Sequence, residues 1–439
     1  MRHRGYTPGA MKCATPLVLA ALSGTGPPPH AGVFAPPFDT TTTAPPAAGK
    51  AVWGASLEHQ LTSDNFVVGW EGDSGSADAA QRVLDVLELA WINLVLELGW
   101  TPPTSSDDYL LWIVLDPSVG HTGYTALVDG PDYPEGVPYI YMNPDYAAFG
   151  SFWEHLAVHE FNHMLHYRLR DYTGGDKESW YWEASAEWGV ELGAPDLDVY
   201  AVQQAFYALK PEARYDTIDG QHEYGMLGLN AWLDEHGLGP GGLRDVWDEA
   251  QDRPGDDWVE ILEDLSGASA GQLWADFTAA LSNGALREAN LYTPPTPLGP
   301  VDEGSSGKLA LLGTDAWEVT ADAVVRVDGD AILGAPWGHG SAVRAWTGDV
   351  LTVTALKQNA NYSLSLGDVD EPLDTGGPGD SGGSQNGDGG GGTGLPDDDG
   401  VGCGCQSTGG SGLAWPLLAL LGAVLRQRRS VATPACRRV

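Results

Sequence analysis

Apolar and polar positions along this chain fall into three successive regimes. Phe66–Trp70 is a compact apolar run that predicts a strand. Over 77–98, Val83, Leu84, Leu87, Ala90, Trp91, Leu94 and Val95 recur at helical spacing and predict one long helix. Residues 109–115 read as a buried strand and 137–142 as a shorter one. Pro138 opens that shorter run, and a residue that cannot donate to a ladder predicts an edge strand there. From Ser151 to about Asn283 the pattern stays helical. A proline-rich break follows (Pro294, Pro295, Pro297, Pro300), and then 308–366 changes character. Its runs at 323–327, 342–346 and 350–354 alternate or cluster as strands between Gly and Asp turns.

These regimes predict an α+β domain over 51–292 and a small all-β domain over 301–367. A Pro/Thr/Ala-rich lead-in (33–50) precedes the first, and an Asp/Gly-rich linker (368–401) follows the second.

Charge changes the picture outside the fold. With 22 Lys and Arg against 60 Asp and Glu, the formal charge is −38. Eight of the basic residues lie at the two ends, so the middle is more acidic still. Such a surface repels phosphate backbones and anionic lipid, which excludes nucleic acid as a partner and leaves membrane contact to the terminal segments. A structural Ca2+ ion is a further expectation of this acidity, with the Asp run at 397–399 weighed against a solvated linker. The four cysteines (Cys13, Cys403, Cys405, Cys436) all fall outside the patterned region, so no disulfide framework supports the fold.

The ends carry address information. Residues 1–32 combine Arg2, Arg4 and Lys12 with an apolar run at 14–22 and then small residues, the layout of a secretory signal peptide; Met11 is an alternative start. Near the other end, Cys403-Gly404-Cys405 precedes an apolar run at 412–425 and the cluster Arg426, Arg428, Arg429. That run is shorter than the ~20 residues that span a bilayer comfortably. The ordered set over 402–430 resembles the C-terminal sorting tail of myxobacterial surface proteins. The resemblance implies a membrane sorting protease as a partner and delivery to the cell surface or the medium.

Candidate chemistry centres on His159-Glu160-Phe161-Asn162-His163. On a helix, positions i and i+4 face the same way, so His159 and His163 can offer ring nitrogens to one metal while Glu160 projects beside it. Ser151 and Glu154 have capping-box spacing and predict the start of this helix. A catalytic zinc needs a third protein ligand and an open position. Nineteen residues separate His163 from Glu183, where a second aromatic-flanked segment brings Glu183 and Glu187 one turn apart. His155 and His166 extend the face of the two ligand histidines and read as neighbours of the site.

These two motifs and their separation resemble those of the gluzincin metallopeptidases. The resemblance covers about 139–237 and extends to uncharacterised metallopeptidases of myxobacterial-type genomes that carry the same tail. It implies a zincin-like domain: a mixed sheet with an edge strand, an active-site helix and a helical C-terminal subdomain. It further implies one catalytic Zn2+ held by His159, His163 and Glu183, with Glu187 orienting a ligand imidazole. Tyr224, or else His222, would stabilise the oxyanion. The chain lacks a Gly-x-Met-Glu-Asn motif upstream and the Asn-Glu-x-x-Ser-Asp form at the third ligand. The expected activity is zinc-dependent peptide-bond hydrolysis on a protein or peptide substrate, with Glu160 activating water, by an exported endopeptidase. The alternatives are an aminopeptidase, or a surface adhesion protein whose metal site is not catalytic.

Overall fold

The computed structural model describes residues 57–370 apart from 121, 131–132, 173–175 and 240, together with Leu373 and Cys403–Cys405. The signal segment, the lead-in, the calcium candidate at 397–399, most of the linker and the rest of the sorting tail lie outside the described residues. Among those described, no helix is long and apolar enough to cross a membrane.

The fold is α+β with a separate all-β region. Six strands form the first sheet: β1 (His59–Thr62), β2 (Phe66–Trp70), β3 (Leu111–Leu115), β4 (Gly123–Gly130), β5 (Tyr133–Met142) and β14 (Cys403–Cys405), in the order β1-β2-β3-β5-β4-β14. β2, β3 and β5 run parallel, while β1, β4 and β14 are each antiparallel to their neighbour. Strand alternation splits the side chains between two cores. Phe66, Val68, Leu111, Ile113, Leu115, Ile140 and Met142 face the helices. Val67, Trp112, Val114, Tyr139 and Tyr141 build a smaller aromatic cluster on the opposite face.

The expected edge at 137–142 is corrected. β5 is interior, and the strand outside it is β4, a segment that the apolar pattern did not single out. The proline signal has a local explanation. Pro138 pairs with Leu127 of β4, whereas the β3 ladder begins only at Tyr139, so at the proline β5 has a strand neighbour on one side alone.

Helix α1 (Ala77–Ala90) continues through a π-helical stretch to Glu97, matching the long helix expected there. Its start is capped by the Ser76 side chain, which accepts from the Ala79 N–H. α1 packs on α2 (Ser151–Leu169), which is followed by the antiparallel-returning α3 (Asp176–Gly193) and by α4 (Tyr200–Leu209). α5 (His222–Gly225) and α6 (Leu227–Trp232) come next, then α7 (Gly242–Gln251), α8 (Trp258–Ser266) and α9 (Ala270–Ser282).

The predicted capping box on α2 does not form. The N-cap is Gly150, and no side chain caps the helix start. Glu154 instead receives two hydrogen bonds from Arg82 of α1, at 2.6 and 2.8 Å, and the same guanidinium donates to the carbonyls of Ala147 and Gly150. A long-range, charge-assisted pair thus outcompetes the local cap.

The last strands form two four-stranded sheets. One runs β10 (Gly338–Gly340), β9 (Ala331–Ala335), β12 (Val350–Ala355), β7 (Thr314–Glu318). The other runs β11 (Ala342–Ala345), β8 (Ala323–Gly329), β13 (Ala360–Gly367), β6 (Ser306–Leu309). They share an apolar core of their own that includes Val325, Leu333, Leu351, Val353 and Leu364. This sandwich rests on α9: the Thr278 hydroxyl donates to the Thr352 hydroxyl at 3.2 Å, and the Asn283 amide makes two 2.8 Å bonds with the Val350 backbone.

Candidate metal centre

α2 and α3 come together through one unusually close approach. Opposite Asn162 stands Gly189, where an added Cβ would lie 2.1 Å from the Asn162 Oδ1. Only a residue without a side chain lets α3 seat this deeply, and the seating aligns the Glu183–Glu187 face of α3 with the histidine face of α2. At the end of the pair, Arg170 closes the turn through a buried bridge to Glu178 (2.9 Å) while its guanidinium lies over the Trp258 ring.

The result is a cluster of buried donor atoms. His159 Nε2 lies 3.1 Å from His163 Nε2 and 3.2 Å from Glu183 Oε2, and His163 Nε2 lies 3.6 Å from the same oxygen. Tetrahedral zinc with bonds of about 2.0–2.2 Å requires ligand atoms roughly 3.3 Å apart, so these three atoms fit its coordination edges. All three residues are at most 6% exposed. The donor set, two imidazoles and one carboxylate, is the chemistry that a borderline-soft dication prefers.

Electrostatics point the same way. Burial pushes the Glu183 carboxyl up, yet its hydrogen bonds to His159 and His163 outweigh burial and hold it well below the usual carboxylate range. Burial likewise disfavours charge on His159, but Glu187 and Glu183 raise the ring well above the ordinary histidine range. Ligation would need a neutral ring, so a proton and a metal would compete for His159.

Glu187 lies where an orienting acid would lie. One oxygen is 3.0 Å from His159 Nδ1 and the other 3.0 Å from His155 Nε2. His155, His159 and Glu187 also satisfy metal-ligand spacing. His159 is common to both groups, however, with Nε2 toward Glu183 and Nδ1 toward Glu187. The pairing with Glu187 fixes the ring so that Nε2 faces the first cluster. His166 is a packing residue: its ring stacks on Trp247 at 3.8 Å and 6°, and burial lowers it well below the ordinary range.

Glu160 is fully buried beside this cluster. The Thr125 hydroxyl of β4 sits 2.8 Å from Glu160 Oε2 and 2.7 Å from its backbone carbonyl, while Oε1 has no hydrogen-bond partner among the described residues. Thr125 was missed by sequence reasoning, since nothing local marks a threonine 35 positions away as the partner of a helix carboxylate.

The third segment divides. Tyr224 packs with its ring centroid 6.0 Å from that of His159, so it belongs to the site. His222 points its ring at Tyr207 (5.7 Å), and burial lowers its pKa to about 4, so it is neutral near pH 7. Between them, Glu223 is a residue that the sequence did not flag. Its carboxylate accepts the backbone N–H groups of Asp219, Gly220 and Gln221, folding the loop onto the start of α5 and so fixing Tyr224. Burial above all, with the charge of Glu183 adding to it, raises Glu223 to about 7.

No curated protein matches the chain. A family model described as a family of unknown function, DUF6055, matches residues 33–295. That stretch contains every residue of the cluster and ends before the sandwich begins at Ser306. The match takes in well over half of the sequence, and the chain belongs to the DUF6055 family.

Proposed function

We propose that this protein is a zinc-dependent endopeptidase, exported to the cell surface or the medium. The observation that carries the reading is the triangle of His159 Nε2, His163 Nε2 and Glu183 Oε2, with edges of 3.1, 3.2 and 3.6 Å, set against the buried carboxylate of Glu160. His159, His163 and Glu183 would hold the zinc, and Glu187 would keep the His159 ring in register. When bound there, zinc supplies Lewis-acid polarisation of a carbonyl and lowers the pKa of water toward 7.

The remaining work falls to the chain. Glu160, anchored through one oxygen by Thr125, takes a proton from the attacking water on its other oxygen and delivers it to the departing amine. Tyr224 offers its hydroxyl to the oxyanion, a role its place beside His159 favours over that of His222. Export rests on the sequence of the two ends, which also motivates the sorting protease as a partner.

The test is a protein-cleavage assay on the purified chain with and without a chelator, using substrates with free and blocked N-termini. Chelator-sensitive cleavage of both substrates is the expected result. Cleavage restricted to free N-termini would make it an aminopeptidase. Bound zinc without cleavage of either would replace the peptidase reading with that of a surface protein stabilised by metal.

A further inference from the structure

The outer side of β4 is not bare. Over 123–125 it pairs antiparallel with β14, in the register Cys403↔Thr125, Gly404↔Tyr124, Cys405↔Gly123. Those three positions of β4 are the ones next to the candidate base. Thr125 holds Glu160, and a Cβ added at Gly123 would come within 3.6 Å of Glu160 Oε1. From 126 to 130, β4 has β5 as its strand neighbour. An extended backbone laid along 123–125 therefore runs past the site, using main-chain hydrogen bonds that place no demand on side-chain identity.

We propose that this stretch of β4 is the docking edge for extended peptides, and that Cys403-Gly404-Cys405 is its resident occupant. The intact chain thereby competes with substrate for its own site. This rests on the peptidase reading only for its consequence; the pairing itself does not depend on it.

Chain length and energetics both fit. The 35 residues between β13 and β14 can extend over roughly 115 Å, so the connection does not limit the reach. A three-residue strand binds weakly alone, but tethering gives it an effective concentration of about millimolar, falling with tether length. A substrate present well below that level loses the competition until the tether is cut. Cleavage in the Asp/Gly-rich segment, which is upstream of the sorting tail, would then convert a self-occupied chain into an open one. The same event that releases the body from its tail would switch the site on.

The experiment compares three forms: the intact chain, the full chain carrying Gly404→Pro, and a full chain with a specific protease site inserted in the linker, before and after cutting. Proline is poorly tolerated inside a paired strand, so Gly404→Pro should disrupt the pairing of β14 with β4, and the cut form, which leaves residue 404 unchanged, controls for any effect of the substitution on folding. Amide exchange of 123–125 that face β14 should be at least ~10-fold slower in the intact chain than in Gly404→Pro or the cut form. A synthetic peptide spanning 400–408 should bind the latter two and not the first, and both should cleave a protein substrate several-fold faster than the intact chain. Equal exchange in all forms overturns the docking, and unequal exchange with equal cleavage overturns the competition. If exchange differs while no form cleaves any substrate, the docking stands and the peptidase reading falls.

Discussion

The helix pair α2–α3 and the C-terminal sandwich are both well buried, yet they bury opposite things. The sandwich core is aliphatic apart from Tyr362, and its buried polar residues are threonines, with Thr314 and Thr354 sharing a 3.2 Å bond. Between α2 and α3, by contrast, lie His155, His159, Glu160, Asn162, His163, His166, Glu183 and Glu187, all at most 6% exposed. Several of their atoms, including Glu160 Oε1 and both nitrogens of His166, have no hydrogen-bond partner among the described residues. Unpaired buried polar atoms cost on the order of 1–3 kcal/mol each. A fold selected for stability alone would fill that space as the sandwich does. The difference teaches that the sandwich is shaped by packing, while the helix pair buries polar groups that packing does not account for and that the proposed metal would use.

Four substitutions bear on that contrast, in falling order of effect. Glu160→Gln keeps shape and the Thr125 contact but removes the base. Peptide cleavage should fall by ~10²–10⁴-fold with zinc content unchanged, read by kcat/KM and metal analysis. Undiminished turnover would remove Glu160 from the mechanism. In the sandwich, fully buried Leu351→Ala should cost ~2–5 kcal/mol in denaturant unfolding, with zinc affinity untouched. A joint loss of stability and zinc affinity would show that the two regions are not energetically separate.

Glu187→Gln should weaken zinc binding by ~10–100-fold in a competition titration, because His159 loses the partner of its Nδ1. Unchanged affinity would return Glu187 to a structural role.

The smallest effect concerns Glu191, at the far end of α3. Burial, with the charges of Glu288 and Asp198 adding to it, raises its pKa to about 8. The folded state therefore binds more protons than the unfolded chain between about pH 4.5 and 8. Its contribution to stability is present below that window and is lost as pH rises through it. Glu191→Gln should raise the melting temperature at pH 8.5 and leave it little changed at pH 4; an equal shift at both values would rule out the titration.

Much of the site was legible in the sequence because helical spacing is local. His159, Glu160 and His163 share a face by geometry, and Glu183 and Glu187 lie one turn apart on the next helix. The capping box failed for the opposite reason, since Arg82 is remote in sequence and its claim on Glu154 has no local trace. α2 also escapes any reading of an amphipathic face, because 14 of its 19 residues are buried on all sides. The edge strand was misplaced because a proline reports a missing donor, not which neighbour is missing. β4 carries only the short apolar run Ala126-Leu127-Val128 between glycine and polar residues, too short to stand out.

By itself, then, the sequence determined the α+β and all-β division, the long helices and the spacing of the two His/Glu motifs, because periodicity and turn residues act over a few positions. Tertiary structure alone decided that Gly189 lets α3 close on α2, that Thr125 reaches Glu160, that Glu223 anchors the loop of Tyr224, and that β14 lies along β4. All but the Glu223 loop, whose bonds span two to four positions, join segments distant along the chain. Which partner wins depends on packing and on the loss of water around polar groups, and no local pattern encodes that.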